Sequence, residues 1–519
     1  MLAARHVPSP GANERWGEGG LLWGLGFSLP PHHIGLPVPA SLVEGAACSS
    51  GGTLAIGLRL PPDEAIQSAA VGSHAAFAVT TRGRVLAFGS EQHGRLGHAQ
   101  DHSMVDEDHV PGLHEVEGLG HVVQVVAGAE HAFALNTEGA VFAWGSDVSG
   151  RLGIGARAAQ LCRAGHLPFT SEPVRVNVGA SAAWGLHPFW NKRVVGIACG
   201  DLHCLALTAD EEVYAWGSAS MGRLGIGDAS VSGEVNEPLL VTRLVGKRVT
   251  QIACSKVNSG AVCQGGEMFT WGATCYGITW SPTNGAAAEV PTLLPVPDGQ
   301  AIAALAMGKL HALALGRNGS VYAFGWAGDG ALGLGPPVDG GNLCRAVTQP
   351  TPLPALAATT VHQVACSECA SFALSDEHQL LLWGTLPIPP QAVHPVCGSH
   401  DQNHLPRAWG RGADGTGAVV LWPSLLREPP AGRLELPVMG YASSALLMIP
   451  GESKDFADAG LAMGCGGLVP RQENPSANLV QVAKPLLCCP RVRKERKGER
   501  ECACIACCYA YIHTALHAG

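Results

Sequence analysis

Short apolar runs in which large and small or polar residues alternate, each closed by a glycine turn, recur through most of this chain. The pattern is plainest between residues 122 and 153. Val122 to Ala127 is an apolar run ending at Gly128, Ala132 to Leu135 alternates, Asn136 to Gly139 is a polar turn, and Val141 to Trp144 alternates again before Gly145. The segment then closes on Gly150-Arg151-Leu152-Gly153. Period-two alternation bounded by Gly and Asn predicts the strands of an antiparallel meander rather than helices.

Copies of this unit extend both ways. The aromatic-Gly pair that ends the third predicted strand recurs at Phe88-Gly89, Trp144-Gly145, Trp216-Gly217, Trp271-Gly272, Phe324-Gly325 and Trp383-Gly384, with intervals of 56, 72, 55, 53 and 59 residues. An all-strand unit repeating at this period predicts a propeller, because one four-stranded blade cannot bury both of its faces alone. The repeats are placed near residues 66–99, 122–155, 194–227, 249–277, 302–335 and 361–384. Two half-repeats flank them: residues 434–449 carry a first half, and residues 15–26, with Trp23-Gly24, carry a second. Joined, they would make a seventh blade that closes the ring and removes its strand edges. Val43 to Ile56 also resembles a first half and reads either as an extra strand pair on blade one or as an eighth-blade remnant. The expected fold is therefore all-β, a seven-bladed β-propeller over residues 15–450, after a disordered start at 1–14 and before a disordered C-terminal tail at 451–519.

The ordered elements G-x-x-H, alternating strand, W-G and G-x-L-G resemble the repeat of the regulator of chromosome condensation family, over roughly residues 15–450. The resemblance implies a propeller that binds proteins, and since the family includes the guanine nucleotide exchange factor for Ran, exchange on a small GTPase is the specific candidate. A non-catalytic scaffold or adaptor is the alternative. The Gly-Trp-Arg-His-Thr run on which related plant UV-B photoreceptors rely is absent, which leaves a light-sensing reading without support.

Composition narrows this further. Charged residues make up 14% of the 519 residues and the formal net charge is −9, which argues against nucleic-acid binding by bulk electrostatics. Cys199, Cys254 and Cys366 recur at one small apolar position, held by Ala127 in the second repeat, and so read as packing thiols in a reducing compartment. That places the protein inside the cell, in cytoplasm or nucleus. His131, His203 and His311 fill the G-x-x-H position; a histidine repeated once per blade, with no nucleophile recurring beside it, is a structural hydrogen-bonding residue. The His- and Asp-rich stretch 97–121 matches no metal-ligand spacing. No catalytic residue, cofactor or metal site is expected.

Candidate partner-binding residues fall into three groups. The insertion Ala156 to Lys192, which causes the 72-residue interval, concentrates Phe169, Trp184, Phe189 and Trp190; these would either anchor a partner or fold back over the disc. Arg95, Arg151 and Arg223 stand where the family commonly has Gln in G-x-L-G, forming either a basic arc for an acidic partner or solvated and stacked side chains. Glu130 and Asp201, with Lys256, Lys309 and Glu368, would ring one mouth of the channel. A second insertion, Thr385 to Gly432, with a stray Trp409-Gly410, reads as an irregular excursion. In the tail, the basic run Arg491 to Arg500 beside Cys488, Cys489, Cys502, Cys504, Cys507 and Cys508 leaves three readings open: a polybasic, acylated membrane contact, a small metal cluster, or a segment with no role. The partner is expected to be a protein, and the chain a monomer.

Overall fold

In the computed structural model the described residues are 21–25, 53–57, 64–72, 75–89, 92–98, 114–155, 168–176, 189, 191–227, 233–280, 287–328, 330–335, 346–377, 379–386, 393–395, 409–411, 418–426 and 446–448. Trp184, Trp190, His74, the start at 1–14 and the tail at 451–519 lie outside them. Every sheet is antiparallel, and each repeat forms one blade, whose strands pair in chain order in blades one to five. Blade two shows the plan: Val122–Ala127 is the first strand, then His131–Asn136, Val141–Ser146 and Phe169–Arg175. Blades one, three, four and five repeat it from Ile66, Val194, Val249 and Ile302. Blade six starts at Val361 and carries six strands.

Six blades are complete, one fewer than expected. The composite predicted as the seventh is a three-stranded sheet among the described residues: Leu21–Leu25 pairs on one side with Thr53–Gly57 and on the other with Leu446–Met448, Trp23 lying opposite Met448. The two ends of the repeat region thus meet as the half-repeats suggested. Thr53–Gly57 is neither an extra pair on blade one nor part of an eighth blade; it extends this terminal sheet. The second insertion is likewise more regular than expected, since Ala418–Leu426 is the fourth strand of blade six and Trp409–Arg411 pairs with it. In both insertions the fourth strand carries little alternation of its own, so its pairing is set by the third strand beside it.

Every residue of the second strand is buried in blades one to six, because both faces of a blade are covered by its neighbours. Two buried faces require small and large residues to alternate so that layers interdigitate. Ala132-Phe133-Ala134-Leu135 does so, and in register Ala132 faces Trp144 while Phe133 faces Ala143. Phe133 then meets Trp216 of the next blade edge-on, with ring centroids 5.7 Å apart, and Phe77 meets Trp144 at 5.5 Å.

The glycine after each aromatic has a specific cause. Gly217 adopts φ +105°, and a Cβ there would stand 2.4 Å from the Leu202 carbonyl oxygen. The third strand thus approaches the G-x-x-H loop more closely than any side chain permits. Gly272, with φ +110° and the Val257 carbonyl at 2.4 Å, repeats the arrangement.

Candidate protein-binding rim

First strands end, second strands begin, third strands end and fourth strands begin on the same rim, so the G-x-x-H loops and G-x-L-G turns share it. A hydrogen-bond relay beneath this rim ties blade three to blade four and blade five to blade six. His203 Nε2 lies 2.8 Å from Ser259 Oγ, the hydroxyl donates to the Arg223 carbonyl at 2.8 Å, and Trp271 Nε1 donates to that same oxygen at 2.9 Å. His311, Ser371, Ala331 and Trp383 repeat it at 3.0, 2.7 and 2.8 Å. The hydroxyl proton is spent on the carbonyl, so the ring nitrogen must donate and the histidine is neutral with its proton on Nε2. Burial agrees, holding His131 and His203 well below the usual imidazole range and His311 down to about 4. The histidines are structural, as their repetition indicated.

The arginines of G-x-L-G are buried, not displayed. Arg95, Arg151 and Arg223 are 3–4% exposed. Each donates Nε to the carbonyl three residues back, at 2.7–2.8 Å, fastening its own turn. Arg151 and Arg223 also reach the next blade's loop, donating to the carbonyls of Asp201 and Lys256, while Arg95 pairs with Glu130 at 3.7 Å. Burial pulls Arg223 to about 10, so it stays charged at neutral pH. These arginines form neither a basic arc nor a solvated set. The five donors of a guanidinium suit a turn that must bind its own backbone and its neighbour's together.

The insertion's aromatics divide. Phe189 is 5% exposed and packs edge-on against Tyr214, centroids 5.1 Å apart, with Trp216 behind it; it belongs to the core between blades two and three, as the fold-back alternative held. Phe169 opens the fourth strand of blade two and is 36% exposed. Its ring lies 6.4 Å from His93, which contacts the Glu130 carboxylate at 3.4 Å. The His93 imidazole, with Arg95 beside it, holds Glu130 down to about 2. Phe169, Glu130 and Arg95 are therefore brought together around a histidine that sequence reasoning passed over. Elsewhere on the rim Lys309 pairs with Glu368.

An exposed aromatic on blade four was also missed. In blade four the G-R-L-G turn is replaced by Gly277-Ile278-Thr279-Trp280. Ile278 and Thr279 are buried, and Thr279 accepts a hydrogen bond from Asn258, which replaces the loop histidine. Trp280 is 50% exposed, while the half-buried Tyr276 and Trp326 meet edge-on at 6.4 Å. The lost motif was the signal: where a repeat drops its structural residues for aromatics, the rim gains surface.

A ring of tandem antiparallel blades, stapled by histidine–hydroxyl–carbonyl relays and showing aromatics along one rim, defines a repeat-built β-propeller. A family profile described as the RCC1-like domain matches residues 17–386, and the chain belongs to that family. It is 30% identical to human E3 ubiquitin-protein ligase HERC2 over 60% of its length and 29% identical to the Arabidopsis thaliana ultraviolet-B receptor UVR8 over 62%. Those alignments span 6% and 66% of the two relatives. Among solved structures, human WBSCR16 superposes with a TM-score of 0.61 at 21% identity, covering 83% of this chain and 99% of that one. Saccharomyces cerevisiae Prp20p, described with its binding properties to Gsp1p and histones, gives 0.56 at 20% identity, covering 84% and 92%. Both likenesses support the fold.

Proposed function

We propose that this chain is a protein-binding propeller that uses the G-x-L-G rim, and that it acts on a small GTPase as a guanine nucleotide exchange factor. The carrying observation is the division of labour on the rim: repeated His and Arg side chains are consumed between blades, while Phe169 and Trp280 are exposed. Exposed aromatics set among charged residues are the composition of a binding patch. Exchange needs no bond-making chemistry; the disc has only to bind the nucleotide-free GTPase more tightly than the loaded form. The family resemblance and Prp20p's binding to Gsp1p support the partner class. The protein works as a monomer inside the cell.

The scaffold reading is favoured by one finding: matched relatives include a receptor and a ubiquitin ligase. Capture from lysate separates the two. With a chelator that strips magnesium and nucleotide, an exchange factor enriches a GTPase that excess GTP releases; a captured protein indifferent to nucleotide makes the chain an adaptor.

A further inference from the structure

The interface between blades two and three departs from those that carry the serine relay. In the relays of blades four and six, the residue after the loop position is Ser259 or Ser371, and the small residue ending the first strand is Cys254 or Cys366. In blade three both places are cysteine: Cys199 and Cys204 lie directly across the antiparallel ladder from one another. Their sulfurs are 3.8 Å apart, and His131 Nε2 of blade two is 3.3 Å from Cys204 Sγ. All three side chains are buried and their donor atoms lie within 4.8 Å of one another.

We propose that His131, Cys199 and Cys204 form a binding site for a thiophilic metal ion of the Zn²⁺ or Cu⁺ class, held between two blades. Metal–sulfur bonds of about 2.3 Å put two coordinating sulfurs roughly 3.8 Å apart, which is the separation here before any ion enters. Thiolate and imidazole donors select these ions over hard ones such as Mg²⁺ or Ca²⁺. Cys204 takes the serine's place in the relay, its thiol donating to the Arg151 carbonyl at 3.6 Å, a bond that the ion would replace. On binding, the ion replaces the two thiol protons, which leave to solvent. His131 turns its lone pair inward by carrying its proton on Nδ1, an atom with no hydrogen-bond partner. Two thiolates neutralise Zn²⁺; with Cu⁺ one negative charge remains, next to the buried Arg151. This goes beyond partner binding and runs against the expectation of no metal site.

The test uses the full chain, reduced and anaerobic, loaded separately with Zn²⁺ and Cu⁺ and passed over a weak chelator. Because the tail has its own cysteines, metal content is compared with Cys204→Ser, which installs the residue used at the other relays, and with Cys199→Ala, which installs the residue of blade two. The site predicts that the unmodified chain retains one equivalent more than either variant, for at least one of the two ions. It also predicts a rise in melting temperature on loading that both variants lack, and a thiolate-to-metal absorption band with Co²⁺ that disappears in both. Equal metal content and equal melting shifts in all three chains overturn the proposal.

Discussion

Replacing Ser259 by alanine breaks the relay between blades three and four at its centre. The hydroxyl donates to the Arg223 carbonyl at 2.8 Å and accepts from His203 Nε2 at 2.8 Å, with no solvent access to either side chain. The carbonyl keeps its second donor, Trp271 Nε1 at 2.9 Å, so its loss is that of one ordinary hydrogen bond, about 1 kcal/mol. His203 fares worse: its N–H is left buried without an acceptor, at a cost of about 1–3 kcal/mol. Ser259→Ala should therefore destabilise by about 2–4 kcal/mol. Adding His203→Leu removes the orphaned donor, so the double variant should lose less than the sum of the singles, with a coupling of about 1–2 kcal/mol. Calorimetry at matched scan rates on the four chains reads this directly. Additivity within about 0.5 kcal/mol, or a Ser259→Ala chain that melts unchanged, would refute the relay.

Phe189→Ala should cost about 3–5 kcal/mol, since it empties the pocket between Tyr214 and Trp216, whereas Trp280→Ala should change stability by less than about 0.5 kcal/mol yet weaken partner capture; equal thermal losses would show that burial has been misassigned. Acidification should destabilise the ring. His311 titrates near 4 when folded and near 6.5 when unfolded, so its contribution is complete above pH 6.5 and lost as pH falls toward 4, about 2 kcal/mol being gone by pH 5. His131 and His203 act in the same direction. Asp147, raised to about 6 by burial, opposes them, because its stabilising protonated form is present below about 3.8 and lost as pH rises through 6. Asp147→Asn should therefore steepen the acid loss, and a variant with an unchanged pH profile counts against this assignment. Deleting residues 1–30 removes Leu21–Leu25, which pairs with both Thr53–Gly57 and Leu446–Met448, and should produce aggregation; an unaltered melting curve would contradict the closure.

Much of this architecture was legible because the repeats are read six times over. Glycine turns and alternation placed the first three strands of every blade, and the repetition of histidine marked it as structural. Fourth strands were not legible: Phe169–Arg175 and Ala418–Leu426 sit in long insertions, and Phe169–Arg175 buries one position of seven. The arginines misled because charge normally marks surface, whereas a guanidinium that satisfies its own turn and reaches the next loop can be buried. The aromatics of the first insertion misled in the other direction, since Phe189 completes a core that only the ring brings together. The exposed site on blade four was written as a departure, Ile278-Thr279-Trp280 in place of Arg-Leu-Gly, and departures are visible only once the rule they break has been given a structural reason.

Release of a fluorescent guanine nucleotide from a small GTPase, if one is recovered in the lysate capture, is the measurement that bears most directly on the proposed exchange activity. Adding the purified chain should accelerate release, with the acceleration reduced by Phe169→Ala and Trp280→Ala at unchanged melting temperature. Tight binding with an unaltered release rate would contradict the exchange reading and leave a propeller that only holds its partner.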